Sequence, residues 1–95
     1  MFDELVSRML PMRPTRVILF GSQAKGTAGE YSDIDFCVVA ETASKRRYAA
    51  ELQQLLDCEK PVDIIVYTPA EWEECLADPA SFAAKIMKEG VVLYG

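Results

Sequence analysis

Two aspartates separated by one apolar residue, Asp33-Ile34-Asp35, open a run that continues Phe36-Cys37-Val38-Val39. In a strand, residues i and i+2 share a face, so the two carboxylates project together while Ile34 and Phe36 turn to a core. Aspartate is depleted from strands and like charges repel, so folding alone gives no reason for the pair. A divalent cation between them removes the repulsion, because hard cations take carboxylate oxygens. Upstream, Gly21-Ser22 closes a second apolar run, Val17-Ile18-Leu19-Phe20, where a strand gives way to a helical turn. Backbone N–H groups at such a turn cradle phosphate, and glycine lets the phosphate come close. Phosphate cradle plus metal-binding carboxylates is the inventory for metal-assisted phosphoryl or nucleotidyl transfer.

Other residues extend the set. Asp63 sits near the start of another apolar run, Val62 to Tyr67. If that strand lies beside the Asp33/Asp35 strand, three carboxylates meet on one sheet face and two-metal chemistry becomes credible. Lys25 lies one turn past Ser22, within reach of a bound phosphate, although a lone lysine is ordinarily solvated. Lys45-Arg46-Arg47 reads as a solvated helix face, and Tyr31, Tyr67 and Trp72 read as packing residues before they read as base-stacking ones. There is no histidine. That removes Ser–His and Cys–His nucleophilic catalysis and leaves acid–base work to carboxylates, lysine or metal-bound water.

The elements that must position these groups fit one small domain over residues 1–95. The apolar run spacing predicts a helix over 2–10 (Phe2, Leu5, Val6, Met9 inward), ended by Pro11 and Pro14. Strands follow at 16–20 and 33–40, with a helical turn at 22–25 and a loop at 26–32 between them. A helix over 44–57 has Ser44 as its cap and Tyr48, Ala49, Leu52, Leu55 and Leu56 on its apolar face. A strand at 62–67 leads to a helix with Thr68 as cap, Pro69 at the first position and Glu71 completing a capping box. A final helix over 80–89 turns Phe82, Ala83, Ile86 and Met87 inward, stops at Gly90, and is followed by a strand or docked tail at 91–94. The expected fold class is α/β (α+β), a mixed β-sheet of about four strands covered by helices, mainly on one side.

Bulk properties narrow the partners. The formal net charge is -5, which disfavours a long nucleic acid and an anionic membrane surface. Cys37, Cys58 and Cys75 are odd in number with no CxxC pair, so reduced thiols are expected and a zinc site is not. The first ten residues are broken by charge and no apolar run reaches spanning length, so the expected location is the cytoplasm.

Gly21-Ser22, ten intervening residues, then Asp33-Ile34-Asp35 resembles the GSx10DxD signature of the polymerase-β-type nucleotidyltransferases. The wider string FGSQAKGTAGEYSDIDFCVV, the later PVDIIVY and the ending EGVVLYG are similar to the minimal nucleotidyltransferase (MNT) domains. The resemblance implies transfer of a nucleoside monophosphate, AMP from ATP, to a hydroxyl with release of pyrophosphate. It implies that Gly21, Ser22 and Lys25 hold the triphosphate, that Asp33 and Asp35 bind Mg2+ (two ions), and that Asp63 completes the set as ligand or base. Many relatives carry arginine at the Lys25 position; lysine keeps the charge and loses the bidentate grip. The resemblance also implies a HEPN-domain toxin as partner, with this chain as antitoxin acting on a tyrosine. Two alternatives stay open: neutralisation of the partner by binding alone, and the catalytic subunit of a two-component small-molecule nucleotidyltransferase. Self-association is undecided.

Overall fold

A computed structural model describes residues 2–26, 33–56 and 60–95. In chain order the elements are α1 (Phe2–Met9), a 3-10 turn (Leu10–Met12), β1 (Arg16–Phe20), α2 (Ser22–Lys25), β2 (Ile34–Val39), α3 (Lys45–Leu55), β3 (Val62–Tyr67), α4 (Pro69–Leu76), α5 (Phe82–Glu89) and β4 (Val91–Tyr94). The expected order of helices and strands is the one observed. Tyr31, Asp57, Cys58 and the greater part of the expected loop lie outside the described residues.

The four strands form one mixed sheet in the order β3-β2-β1-β4. β1 pairs antiparallel with both β2 and β4, and β2 pairs parallel with β3. A parallel pair needs a crossover rather than a hairpin, and α3 provides it. The register places Phe20 opposite Asp35 and Asp35 opposite Asp63, one row across three strands.

The sheet is covered on both faces, not mainly on one. Val17, Leu19, Ile34, Phe36 and Val38 face a core closed by Leu5, Val6 and Met9 of α1 and by Tyr48 and Leu52 of α3, with Leu56 just beyond it. Ile18, Cys37 and Val39, at the alternate positions, face a second core closed by Trp72 of α4 and by Ala83 and Ile86 of α5. The reason lies in the strands: β1 and β2 are apolar at odd and even positions alike, so each face needs a cover. Local chemistry agrees with these docking sites. Ser44 accepts from the Arg47 amide at 3.2 Å and Ser81 from that of Ala84 at 3.1 Å. Thr68 and Glu71 form the expected reciprocal capping box. Leu55, expected on the buried face of α3, is instead 39% exposed.

α5 meets β4 with no linker but Gly90. A Cβ there would lie 2.6 Å from the Ile86 carbonyl oxygen and 2.8 Å from both Ile18 Cγ2 and the Leu19 carbonyl oxygen. Only glycine lets the chain turn so close to β1.

Candidate active site

The candidate site sits where β1 ends and β2 and β3 begin, in one row across the sheet. Asp35 and Asp63 occupy β2 and β3 at register-paired positions. Both belong to the face that carries Cys37, Val39 and Tyr67 deeper in, so the α4–α5 core ends at a row of carboxylates. Asp33 lies one residue before β2 and is exposed, as is Asp63, while Asp35 is half-buried.

Gly21 connects the end of β1 to these carboxylates. It caps α2 with φ 75° and ψ -156°, a backbone conformation that is essentially restricted to glycine. A Cβ on it would collide with Asp35 Oδ2 and come within 3.3 Å of Asp35 Cγ. The bare α-carbon therefore lies directly against the Asp35 carboxyl group. The amides of Ala24 and Lys25 both return to the Gly21 carbonyl oxygen at 3.2 Å, which winds the turn tightly after the glycine.

Burial pushes the Asp35 carboxyl above its ordinary value, and the charges of Asp63 and then Asp33 push it further the same way. Of the three expected carboxylates, two thus act electrostatically on the third, Asp35. They form an open row rather than a cage: among the described residues no group of three or more His, Cys, Asp or Glu is gathered to hold a metal ion by itself. The donor set still fits Mg2+, which characteristically takes one or two carboxylates and completes its shell with substrate phosphates and water. The Gly21 α-carbon adjoins that row of oxygens.

Beside the row, a cavity of about 190 Å³ opens between the end of β1 and α5, lined by Phe20, Gly21, Lys25, Phe82, Lys85, Ile86 and Glu89. Lys25 and Glu89 pair across it at 3.4 Å. Phe82, expected inward, is 48% exposed, and its ring meets Phe20 edge-on at 5.8 Å. Of the residues expected to hold a triphosphate, Gly21 and Lys25 line this cavity, together with Lys85 and Glu89, which sequence reasoning did not single out. Their i, i+4 spacing puts them on one helix face, yet nothing in the local sequence ties residue 85 to residue 21 before β4 is paired with β1.

Residues weighed and set aside also have definite places. Lys45 Nζ pairs with Glu71 Oε2 at 2.8 Å, tying α3 to the start of α4. Trp72 is buried and meets the Tyr67 ring at 5.1 Å, so both pack. Cys37 and Cys75 are free thiols, and burial pushes that of Cys37 up to about 12. No helix among the described residues is long and apolar enough to cross a membrane.

The chain is similar to several known proteins. A Methanocaldococcus jannaschii protein, provisionally named a protein adenylyltransferase, is 61% identical over 31 residues, which is 33% of this chain and 21% of that protein. The match thus spans about a fifth of the relative's length. A crystal structure from Sulfolobus solfataricus, provisionally named a nucleotidyltransferase, superposes with a TM-score of 0.64 at 21% identity, over 96% of this chain and 74% of that one. A chain of a toxin–antitoxin crystallised with AMP-PNP gives 0.63 at 22% identity, over 100% of this chain and 74% of the other. A chain of a mutant MntA–HpeT toxin–antitoxin gives 0.63 at 24% identity, over 100% and 72%. These likenesses establish the fold. The model of the nucleotidyltransferase domain matches residues 2–93, nearly the whole chain, and the protein belongs to that family.

Proposed function

We propose that this domain transfers AMP from Mg2+-bound ATP to a hydroxyl on a partner protein, the partner being a HEPN-type toxin, the acceptor a tyrosine and this chain the antitoxin. The observation that carries the reading is the contact of the Gly21 α-carbon with the Asp35 carboxyl group, in a row with Asp63. It supports a phosphate cradle that ends on metal-binding oxygens.

The chain's residues have distinct parts. Gly21, as cap of α2, brings the start of that turn against the Asp35 carboxyl group, where a triphosphate oxygen would lie between the turn and a bound metal ion. Ser22 adds a hydroxyl and Lys25 a compact positive charge at the far end of that turn. Asp33 and Asp35 would hold Mg2+, which would supply charge neutralisation to the phosphates of the nucleotide. Asp63, exposed beside Asp35, takes the proton of the attacking hydroxyl or completes the metal shell. The fold neighbours from toxin–antitoxin complexes, one of them crystallised with AMP-PNP, favour a protein acceptor and an adenine nucleotide. The name of the Methanocaldococcus relative points the same way.

The test is label transfer. The protein is incubated with ATP labelled in the α-phosphate, Mg2+ and the product of the adjacent reading frame. Transfer is expected with the wild type and absent with Asp35→Asn; no transfer by the wild type at any Mg2+ concentration rejects the catalytic reading. The open carboxylate row favours one competitor, neutralisation by binding alone. Rescue of cells by the double variant Asp33→Ala, Asp35→Ala would select it.

A further inference from the structure

The cavity beside Gly21 holds two charges that the proposed reaction has not used, Lys85 and Glu89. Two ammonium groups line it, Lys25 from α2 and Lys85 from α5, together with one carboxylate, Glu89. Lys85 and Glu89 are one helical turn apart on α5, so the same face delivers a cation and an anion to the same space. Glu89 sits 3.4 Å from Lys25 Nζ. A nucleotide whose triphosphate lies on Gly21 brings its outer phosphates toward that ammonium, and the two anions then compete for one cation.

We propose that Glu89 is a built-in competitor for the triphosphate, holding Lys25 until the outer phosphates displace it, and that Lys85 is a second phosphate-binding cation supplied by α5. This rests on the nucleotide reading above. With Glu89 in place, the cavity wall carries a net single positive charge; with Glu89 displaced, Lys25 and Lys85 face the polyphosphate together. Both side chains of the Lys25–Glu89 pair are over a third exposed, so the competition is modest: exposed pairs contribute at most about 1 kcal/mol, which is about fivefold in affinity. The size of the space suits phosphate rather than a whole nucleotide, for which pockets of about 300 Å³ or more are usual. Phe82 and Phe20 form the apolar side of the space and meet edge-on.

The experiment is calorimetric titration of AMP-PNP, and separately of inorganic tripolyphosphate, into the full chain with Mg2+. Glu89→Gln is expected to tighten both ligands by about fivefold. Glu74→Gln, which removes the same charge from α4, outside the cavity, is expected to change neither by more than about twofold. Lys85→Gln is expected to weaken both by about fivefold. Glu89→Ser carries the same expectation as Glu89→Gln and covers the case in which one variant fails to fold. If the wild type binds and Glu89→Gln behaves like Glu74→Gln, or Lys85→Gln binds as the wild type does, the inference is wrong while the nucleotide reading stands. If the wild type binds neither ligand, both are wrong.

Discussion

The α-carbon of Gly21 rests against the carboxyl group of Asp35, with no space between them for a methyl group. This single contact joins the end of β1 to the carboxylate of β2, and in the proposed reaction it would set how near a bound phosphate lies to the metal. Gly21→Ala is therefore expected to do double damage. It pays backbone strain of about 1–3 kcal/mol and also pushes Asp35 aside, so nucleotide binding is lost along with stability. Gly26→Ala provides the comparison: its φ of 72° imposes left-handed strain, but nothing lies within 4 Å of a Cβ there. Urea unfolding and AMP-PNP titration of both variants check this: Gly26→Ala is to lose about 1–2 kcal/mol of stability and keep its binding.

The row of carboxylates costs the fold something when no cation is bound. Burial, Asp63 and Asp33 all oppose ionisation of Asp35. Asp63→Asn is expected to leave thermal stability unchanged or slightly raised in EDTA, by no more than about 1 kcal/mol, while transferase activity falls. Adding Mg2+ with AMP-PNP should raise the melting temperature of the wild type through linkage and raise that of Asp33→Asn much less. Equal shifts for the two proteins would speak against Asp33 as a ligand.

The start of α4 is the part of the fold with a clear acid response. Hydrogen bonds from Lys45 and then from the Thr68 backbone and hydroxyl hold the Glu71 carboxyl down at about 2, against an ordinary value of 4.5. A carboxyl held low in the fold contributes fully above its unfolded value, and the contribution is lost as pH falls from about 4.5 toward about 2. Urea midpoints measured across that window should fall less steeply for Glu71→Gln than for the wild type. Thr68→Ala removes the cap at all pH values and is expected to cost about 1 kcal/mol.

Phe36 tests the deeper layer. It is fully buried between β2 and α1 and meets the Phe2 ring edge-on at 6.5 Å. Phe36→Ala is expected to destabilise by about 3–5 kcal/mol, which leaves little folded protein in a domain of this size. Phe36→Leu keeps most of the volume and should remain folded, with Asp35 still in position and nucleotide affinity near that of the wild type, as read by calorimetry.

Much of this arrangement was legible in the sequence, and the limit has a physical form. Periodicity and caps carried the elements: β1 and β3 begin and end where their apolar runs do, and Ser44, Thr68 and Pro69 open their helices as their chemistry requires. The pairing of Asp35 with Asp63 followed once β2 and β3 were taken as neighbours. Two things were not legible. The double covering of the sheet depended on reading Ile18, Cys37 and Val39 as a second core, which the emphasis on the carboxylates sharing that face obscured. The α5 wall of the cavity depended on β4 pairing with β1, a contact more than seventy residues apart that no local pattern encodes.

The tight passage at Gly90 bears on where the chain tolerates change. A Cβ at residue 90 meets the Ile86 carbonyl oxygen, Ile18 and the Leu19 carbonyl oxygen, so α5 passes into β4 without slack. Because β4 is fixed on β1 by its register, the turn of α5 that carries Lys85 and Glu89 is set at a fixed distance from the end of β1. An insertion at residue 90 would shift that whole cavity wall, whereas a substitution on the exposed side of α5 would leave it in place.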